Sequence, residues 1–337
     1  MWQNILGHNT IVERFRRAFG RGRLAGSFLF TGPSGVGKRR FAFALAMGLL
    51  CKKQDNLNPC GVCDSCKLFG GKNSTEFDFD SSTYTSPHPD LYYIEKPTDK
   101  SFLPMELLVG DKEHRGREGL CYNISRTPFL QNGKVAIIND ADFFNAEGAN
   151  ALLKTLEEPP PDAVLILIGT STAKQLPTIR SRCQIVRFSP LLPEILSAIL
   201  VEKKIAPSAE QGEQWAIQAE GSLDQAKELA DGDVETLRKE LTKYLKVPNW
   251  DAVAIAAKLN GLVEALGKDG PAAQRRRRLR LLFGLAIDHF RVEMQSDNPR
   301  RASRRLERTL DALEQVDRNV NLPYVIEAWS VALGGEQ

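Results

Sequence analysis

The sequence predicts an α/β chain, a parallel-sheet core around a phosphate loop, followed by two all-helical segments. Three observations predict it. A short apolar strand runs into the glycine-rich turn Gly32–Lys38. Continuous apolar runs alternate with helical stretches up to residue 190. Beyond Pro190 the strand signals give way to helical periodicity.

Each element follows from its residues. Ser27-Phe28-Leu29-Phe30 reads as a buried strand, and Phe41 to Met47 continues after the turn as a helix. Lys134 to Ile138 and Ala163 to Ile168 are apolar on both faces, the pattern of parallel strands covered by helices on each side. Between them, Ala149 to Leu156 reads as a helix stopped by Pro159-Pro160-Pro161, since proline cannot continue the hydrogen-bond ladder. Residues 1–190 make the core, with a cysteine-rich module at 51–66 and an irregular, polar insert at about 70–131. Residues 191–233 form a small helical unit broken at Pro207 and Gly221. Residues 234–337 form a second helical domain, interrupted at Pro248, Gly270-Pro271, Pro299 and Pro323.

The 337 residues, 42% apolar, suffice for two or three domains with their own cores. Forty-five Lys and Arg against 42 Asp and Glu leave a net charge of +3, so the overall charge names neither nucleic acid nor membrane as a partner. The longest apolar run, Phe41 to Cys51, falls short of the roughly 20 residues a membrane span needs. Met1-Trp2-Gln3-Asn4 opens no secretory signal, so a soluble cytoplasmic chain is expected.

Gly32, Gly35, Gly37 and Lys38 are the candidate nucleotide-binding residues. The glycines let backbone N–H groups turn toward phosphate oxygens, while the helix N-terminus and Lys38 add positive charge. The pattern then calls for Ser or Thr, whose hydroxyl ligates magnesium, and the sequence places Arg39 there. The strand ending at Ile138 should lead into an Asp for the metal and an acid for water. Asn139 and Asp140 follow instead, and a one-residue shift along a strand turns a side chain to the opposite side. Magnesium chemistry is therefore not expected.

Cys51, Cys60, Cys63 and Cys66 have the spacing C-x₈-C-x₂-C-x₂-C, which can close a tetrahedral four-sulfur site around a structural zinc ion. Four free thiols and an iron–sulfur cluster are the alternatives. Cys121 and Cys183 stand alone, and His88 and His114 lack paired ligand spacing. The arginine runs at 275–280 and 300–305 suit either an acidic partner or a solvated helix face. Interleaved leucines and the absence of stacking aromatics favour the solvated face.

Taken together, these motifs resemble the clamp-loader branch of the AAA+ ATPases, most closely the delta-prime subunits of bacterial DNA polymerase III. The resemblance spans at least residues 1–230. It rests on Ile5-Leu6-Gly7-His8, Gly32–Lys38, the cysteine cluster, His88-Pro89-Asp90, the run from Ala149 to Pro159, and Leu176-Pro177 leading to Ser181-Arg182-Cys183. It implies an AAA+ P-loop core with a zinc module, an all-α lid and an all-α collar for assembly. It also implies that Arg182 is an arginine finger reaching a neighbouring subunit's ATP site. The implied partners are gamma/tau ATPase subunits and a delta subunit, with the sliding clamp and primed DNA met through the complex and no membrane.

In that family, active motors carry an Arg just after Gly-Ser-Leu, whereas Gly221-Ser222-Leu223 is followed here by Asp224. Thr170-Ser171 keeps a polar, sensor-like position. A subunit with little or no ATPase activity of its own is implied. The alternative, an active gamma/tau-type ATPase, calls for Ser or Thr at 39, Asp at 139 and Arg at 224. A zinc-finger nucleic-acid binder would need more basic and aromatic residues around the cysteines than Lys52, Lys53, Lys67 and Phe69. ATP binding without hydrolysis, with Arg39 in the place of magnesium, stays open.

Overall fold

Among the residues described by the computed structural model (2, 5–69, 88–97, 100, 102–130, 132–230, 232–245, 251–265, 272–295, 299–317 and 320–335), five strands form one sheet. They are β1 (Ser27–Thr31), β2 (Leu91–Ile94), β3 (Lys134–Ile138), β4 (Ala163–Ile168) and β5 (Gln184–Arg187), in the spatial order β2-β3-β4-β1-β5. Every neighbouring pair is parallel, with Phe28 beside Ile166 and Ala136 beside Leu165 in the central registers.

The three inner strands were the ones legible as buried runs, and their alternate residues feed two separate cores. Phe28, Phe30, Ile137 and Ile166 face α2 (Lys38–Leu50) and pack with Phe41 and Leu45. Leu29, Ala136, Ile138, Leu165 and Leu167 face the other side, where they meet Leu152 and Leu156 of α6 (Ala146–Glu157). The first core is tightened by α1 (Asn9–Gly20), whose Phe15 ring lies 5.0 Å from Phe28 and 5.5 Å from Phe41.

The sequence reading of residues 70–131 as an irregular insert needs correction. Residues 70–87, 98–99, 101 and 131 lie outside the described residues, but the rest carries β2, α4 (Glu106–Val109) and α5 (Leu120–Ser125). β2 escaped detection because it is an edge strand of four residues, only Leu91 of which is fully buried. β5, at the opposite edge, is mostly exposed and escaped for the same reason. A short helix, α3 (Asp64–Phe69), completes the cysteine-rich module, and α7 (Pro177–Arg180) precedes β5.

Chain contacts divide the protein into Met1–Ala226 and Lys227–Gln337. The first unit includes α8 (Pro193–Glu202), α9 (Ala209–Gln218) and the start of α10 (Leu223–Ala230), the helices of the expected lid. The second contains α11 (Gly232–Leu245), α12 (Ala252–Ala265), α13 (Ala272–Glu293), α14 (Pro299–Asp317) and α15 (Leu322–Gly334). Its core gathers Leu241, Leu259, Phe283, Phe290, Val325 and Trp329. Trp329 Nε1 donates to Thr309 Oγ1 at 3.0 Å, so the buried indole leaves no orphaned donor. The arginine runs are partly structural here: Arg276 donates to Val316 O at 3.1 Å, and Arg305 is buried against the Phe290 ring. Among the described residues, no helix is long and apolar enough to cross a membrane.

Candidate functional site

The phosphate loop sits between the end of β1 and the start of α2, held by contacts that use its own backbone. Gly32 N–H donates to Thr170 O at 3.2 Å, and a Cβ on Gly32 would come within 2.3 Å of Phe188 O. Only glycine fits there. His8 Nε2 bonds Val36 O at 2.7 Å, and its ring meets the Phe188 ring edge-on at 4.9 Å. Burial lowers the His8 pKa, so its neutral form is favoured.

Lys38 is 7% exposed and folds back on the loop, donating to Gly32 O at 2.6 Å and Pro33 O at 2.5 Å. Burial lowers its pKa to about 8, against the opposing pull of Asp142 and Asp224. Over the loop, Leu223 N–H donates to Gly35 O at 3.0 Å, and Ser34 Oγ donates to Asp224 Oδ2 at 3.0 Å.

Arg39 points to the sheet edge. Its guanidinium lies 4.9 Å from the Tyr93 ring centre and 5.9 Å from that of Phe43, and Nη1 is 3.9 Å from Glu95 Oε2. Tyr93 donates its hydroxyl to the same Glu95 oxygen, and burial raises its pKa. The cation is thus held between aromatic faces and a carboxylate.

After β3, Asn139 N–H donates to Ile94 O at 2.8 Å. Asp140 takes a left-handed conformation (φ 58°) toward the β2 side, where burial raises its pKa and the Lys96 backbone N–H opposes that rise. Asp142, to which the sequence reading gave no role, organises the turn after β4. Its Oδ2 accepts from Thr170 N at 2.7 Å and Thr170 Oγ1 at 2.6 Å, while Oδ1 accepts from Gln175 Nε2. Its place in Asn-Asp-Ala-Asp was visible, but a partner 28 residues away was not.

Arg182 lies between α7 and β5. It donates Nε (2.6 Å) and Nη2 to Glu157 Oε1, and Nη1 to Thr178 O at 3.0 Å and Ser181 Oγ at 3.2 Å. Both partners of the ion pair are partly open to solvent, at 29% for Arg182 and 47% for Glu157. Glu157, too, went unassigned in the sequence.

The four cysteines converge. Their sulfurs all lie within 4.8 Å of one another, and Cys51 Sγ is 3.9 Å from Cys63 Sγ. Zinc–sulfur bonds of about 2.3 Å in a tetrahedron require sulfurs about 3.8 Å apart, so the donor set fits a metal ion such as zinc. Backbone N–H groups of Lys53 and Cys60 point at Cys51 Sγ, that of Cys63 at Cys60 Sγ, and that of Cys66 at Cys63 Sγ. Such donors favour thiolates. The Cys60 thiol is drawn down to about 6, chiefly by the Val62 N–H, whereas burial pushes Cys51 and Cys66 up.

His88 ties this module to the sheet. Its Nδ1 accepts from Asp90 N–H at 3.1 Å, so Nε2 carries the proton and donates to Ser65 Oγ at 2.8 Å. Ser65 passes the bond on to Leu50 O at 2.6 Å, and Asp90 accepts the Phe129 and Leu130 N–H groups.

The family described as "DNA polymerase III, delta subunit" matches residues 7–192. The chain is 27% identical over 249 residues to the DNA polymerase III subunit delta' of Pseudomonas aeruginosa, covering 70% of this chain and 69% of that protein. It is 32% identical over 197 residues to the delta' subunit of Bacillus subtilis, covering 58% of this chain and 52% of the relative. It is 30% identical over 246 residues to the tau subunit of Escherichia coli, covering 69% of this chain and 34% of tau. The chain thus spans about two thirds, half and one third of these relatives.

Proposed function

The chain belongs to the DNA polymerase III delta-subunit family, and from that premise we propose a delta-prime-like role in a clamp loader. It joins gamma/tau-type ATPase subunits and a delta-type subunit in a cytoplasmic hetero-oligomer that places a sliding clamp on primed DNA. It hydrolyses little or no ATP itself. Arg182 acts in trans, stabilising charge on phosphates bound by a neighbour. Cys51, Cys60, Cys63 and Cys66 hold a structural zinc ion, with no ligand position left open for chemistry.

One observation carries this reading. The residue that should ligate magnesium is Arg39, engaged with Tyr93 and Glu95. An arginine there has no hydroxyl to ligate a divalent ion, and its side chain turns to the sheet edge rather than to the loop. Gly32, Gly35, Gly37 and Lys38 then serve as a degenerate nucleotide loop. The likeness to the Escherichia coli tau subunit speaks for the alternative of an active ATPase. Arg39, Asn139 and Asp224 speak against it.

What Arg182 offers is a planar guanidinium with two edges suited to phosphate oxygens. Arginine fingers are worth roughly 10³–10⁵ in turnover in GTPases, which is reason enough to keep a subunit with a silent site. The test is a loader reconstituted with gamma/tau-type and delta-type subunits, comparing ATP turnover with the natural chain and with Arg182→Ala. Turnover is expected to fall roughly tenfold or more. Unchanged turnover in an intact complex would reject the finger.

A further inference from the structure

The lid closes the phosphate loop with a carboxylate. α10 begins directly over the loop: Leu223 N–H reaches Gly35 O at 3.0 Å, and the next residue, Asp224, accepts from Ser34 Oγ at 3.0 Å. The fit is close, since a Cβ on Gly35 would stand 2.5 Å from Ser222 Oγ and 2.6 Å from Asp224 N. The turn before it is fixed as well. Gly221, at φ +81°, accepts from Leu191 N–H at 3.1 Å.

Two carboxylates lie within electrostatic reach of Lys38, those of Asp142 and Asp224. Their roles differ. Asp142 spends both oxygens on Thr170 and Gln175 and shapes the turn after β4. Asp224 directs its charge at the loop itself.

We propose that Asp224 determines what the phosphate loop accepts, its carboxylate taking the anion's place beside Ser34 and Lys38 and thereby excluding nucleotide phosphates. The proposal rests on the reading of this chain as a subunit without ATPase activity, and supplies that reading with a cause. Arg39 and Asn139 account for a missing metal and hence missing hydrolysis. They do not exclude phosphate, because loop N–H groups and a lysine hold it without a metal. A fixed negative charge hydrogen-bonded to the loop does so. It repels a polyphosphate at the short distance where the loop would otherwise attract it, well inside the screening length of ordinary salt.

Calorimetric titration of the full chain with ATP and with inorganic pyrophosphate, each with and without magnesium, tests this. Asp224→Asn is the informative variant, because the amide oxygen still accepts from Ser34 and the lid contact survives. The natural chain is expected to bind either probe more weakly than about 1 mM, and Asp224→Asn roughly tenfold or more tightly than the natural chain. Adding Lys38→Ala should abolish the gain. Equal affinity of the natural chain and Asp224→Asn, whether measurable or absent in both, would overturn the proposal. ATP turnover measured on the same samples separates the two readings. Turnover by the natural chain defeats the proposed function, whereas no turnover and no gain with Asp224→Asn defeats only the role of Asp224.

Discussion

Glu157, the last residue of α6, accepts two of the five N–H groups of Arg182 on one oxygen, Oε1. With Thr178 O and Ser181 Oγ on Nη1, four of the five donors are engaged within the chain. A finger must exchange such partners for phosphate, so the strength of the hold matters. Partly exposed ion pairs are worth about 1 kcal/mol or less. Glu157→Gln should therefore change unfolding free energy by under about 1 kcal/mol in urea titration. A loss above about 3 kcal/mol would mark the pair as a structural lock that Arg182 cannot leave.

Gly35 is the point where loop and lid touch. Its φ of +71° and the 2.5–2.6 Å approach of Ser222 Oγ and Asp224 N leave no room for a methyl group. Gly35→Ala should cost about 1–3 kcal/mol in equilibrium unfolding. A neutral effect would mean the lid does not rest on the loop.

Lys38 makes the fold sensitive to alkaline pH. Between its folded pKa of about 8 and the ordinary lysine value of 10.5, the unfolded chain keeps a proton that the folded chain has released. This group's contribution to stability therefore rises with pH across that window, by about 3 kcal/mol at most. The slope of unfolding free energy against pH between 8 and 10.5 should be more positive for the natural chain than for Lys38→Ala. Identical slopes would place Lys38 in water.

The cysteine module should lose stability with its metal. Metal analysis of the purified chain is expected to give one zinc per chain, lost in Cys63→Ser. Chelation should destabilise the fold by about 3 kcal/mol or more, because binding at a closed four-sulfur site is folding free energy. A chain free of metal and indifferent to chelator would leave four thiols and no site.

Much of this was legible from residues alone, for identifiable reasons. β1, β3 and β4 are apolar on both faces because helices cover both sides, and the cysteine spacing is local. β2 and β5 are edge strands, so all their residues but Leu91 are partly or fully exposed and the pattern that marks a buried strand is missing. The loop motif was readable, but the surroundings of its residues were not. Arg39 meets Tyr93 because folding lays α2 on the sheet face against which Tyr93 also packs, and Ser34 meets Asp224 across 190 residues. Glu157 stood in plain sight before Pro159, yet only folding brings Arg182 to it.

The central claim, a clamp-loader subunit whose own phosphate loop is silent, is tested most directly by steady-state ATP hydrolysis of the purified chain with magnesium and primed DNA. The predicted result is no turnover above background. Turnover that disappears with Lys38→Ala would contradict it and make the protein a motor.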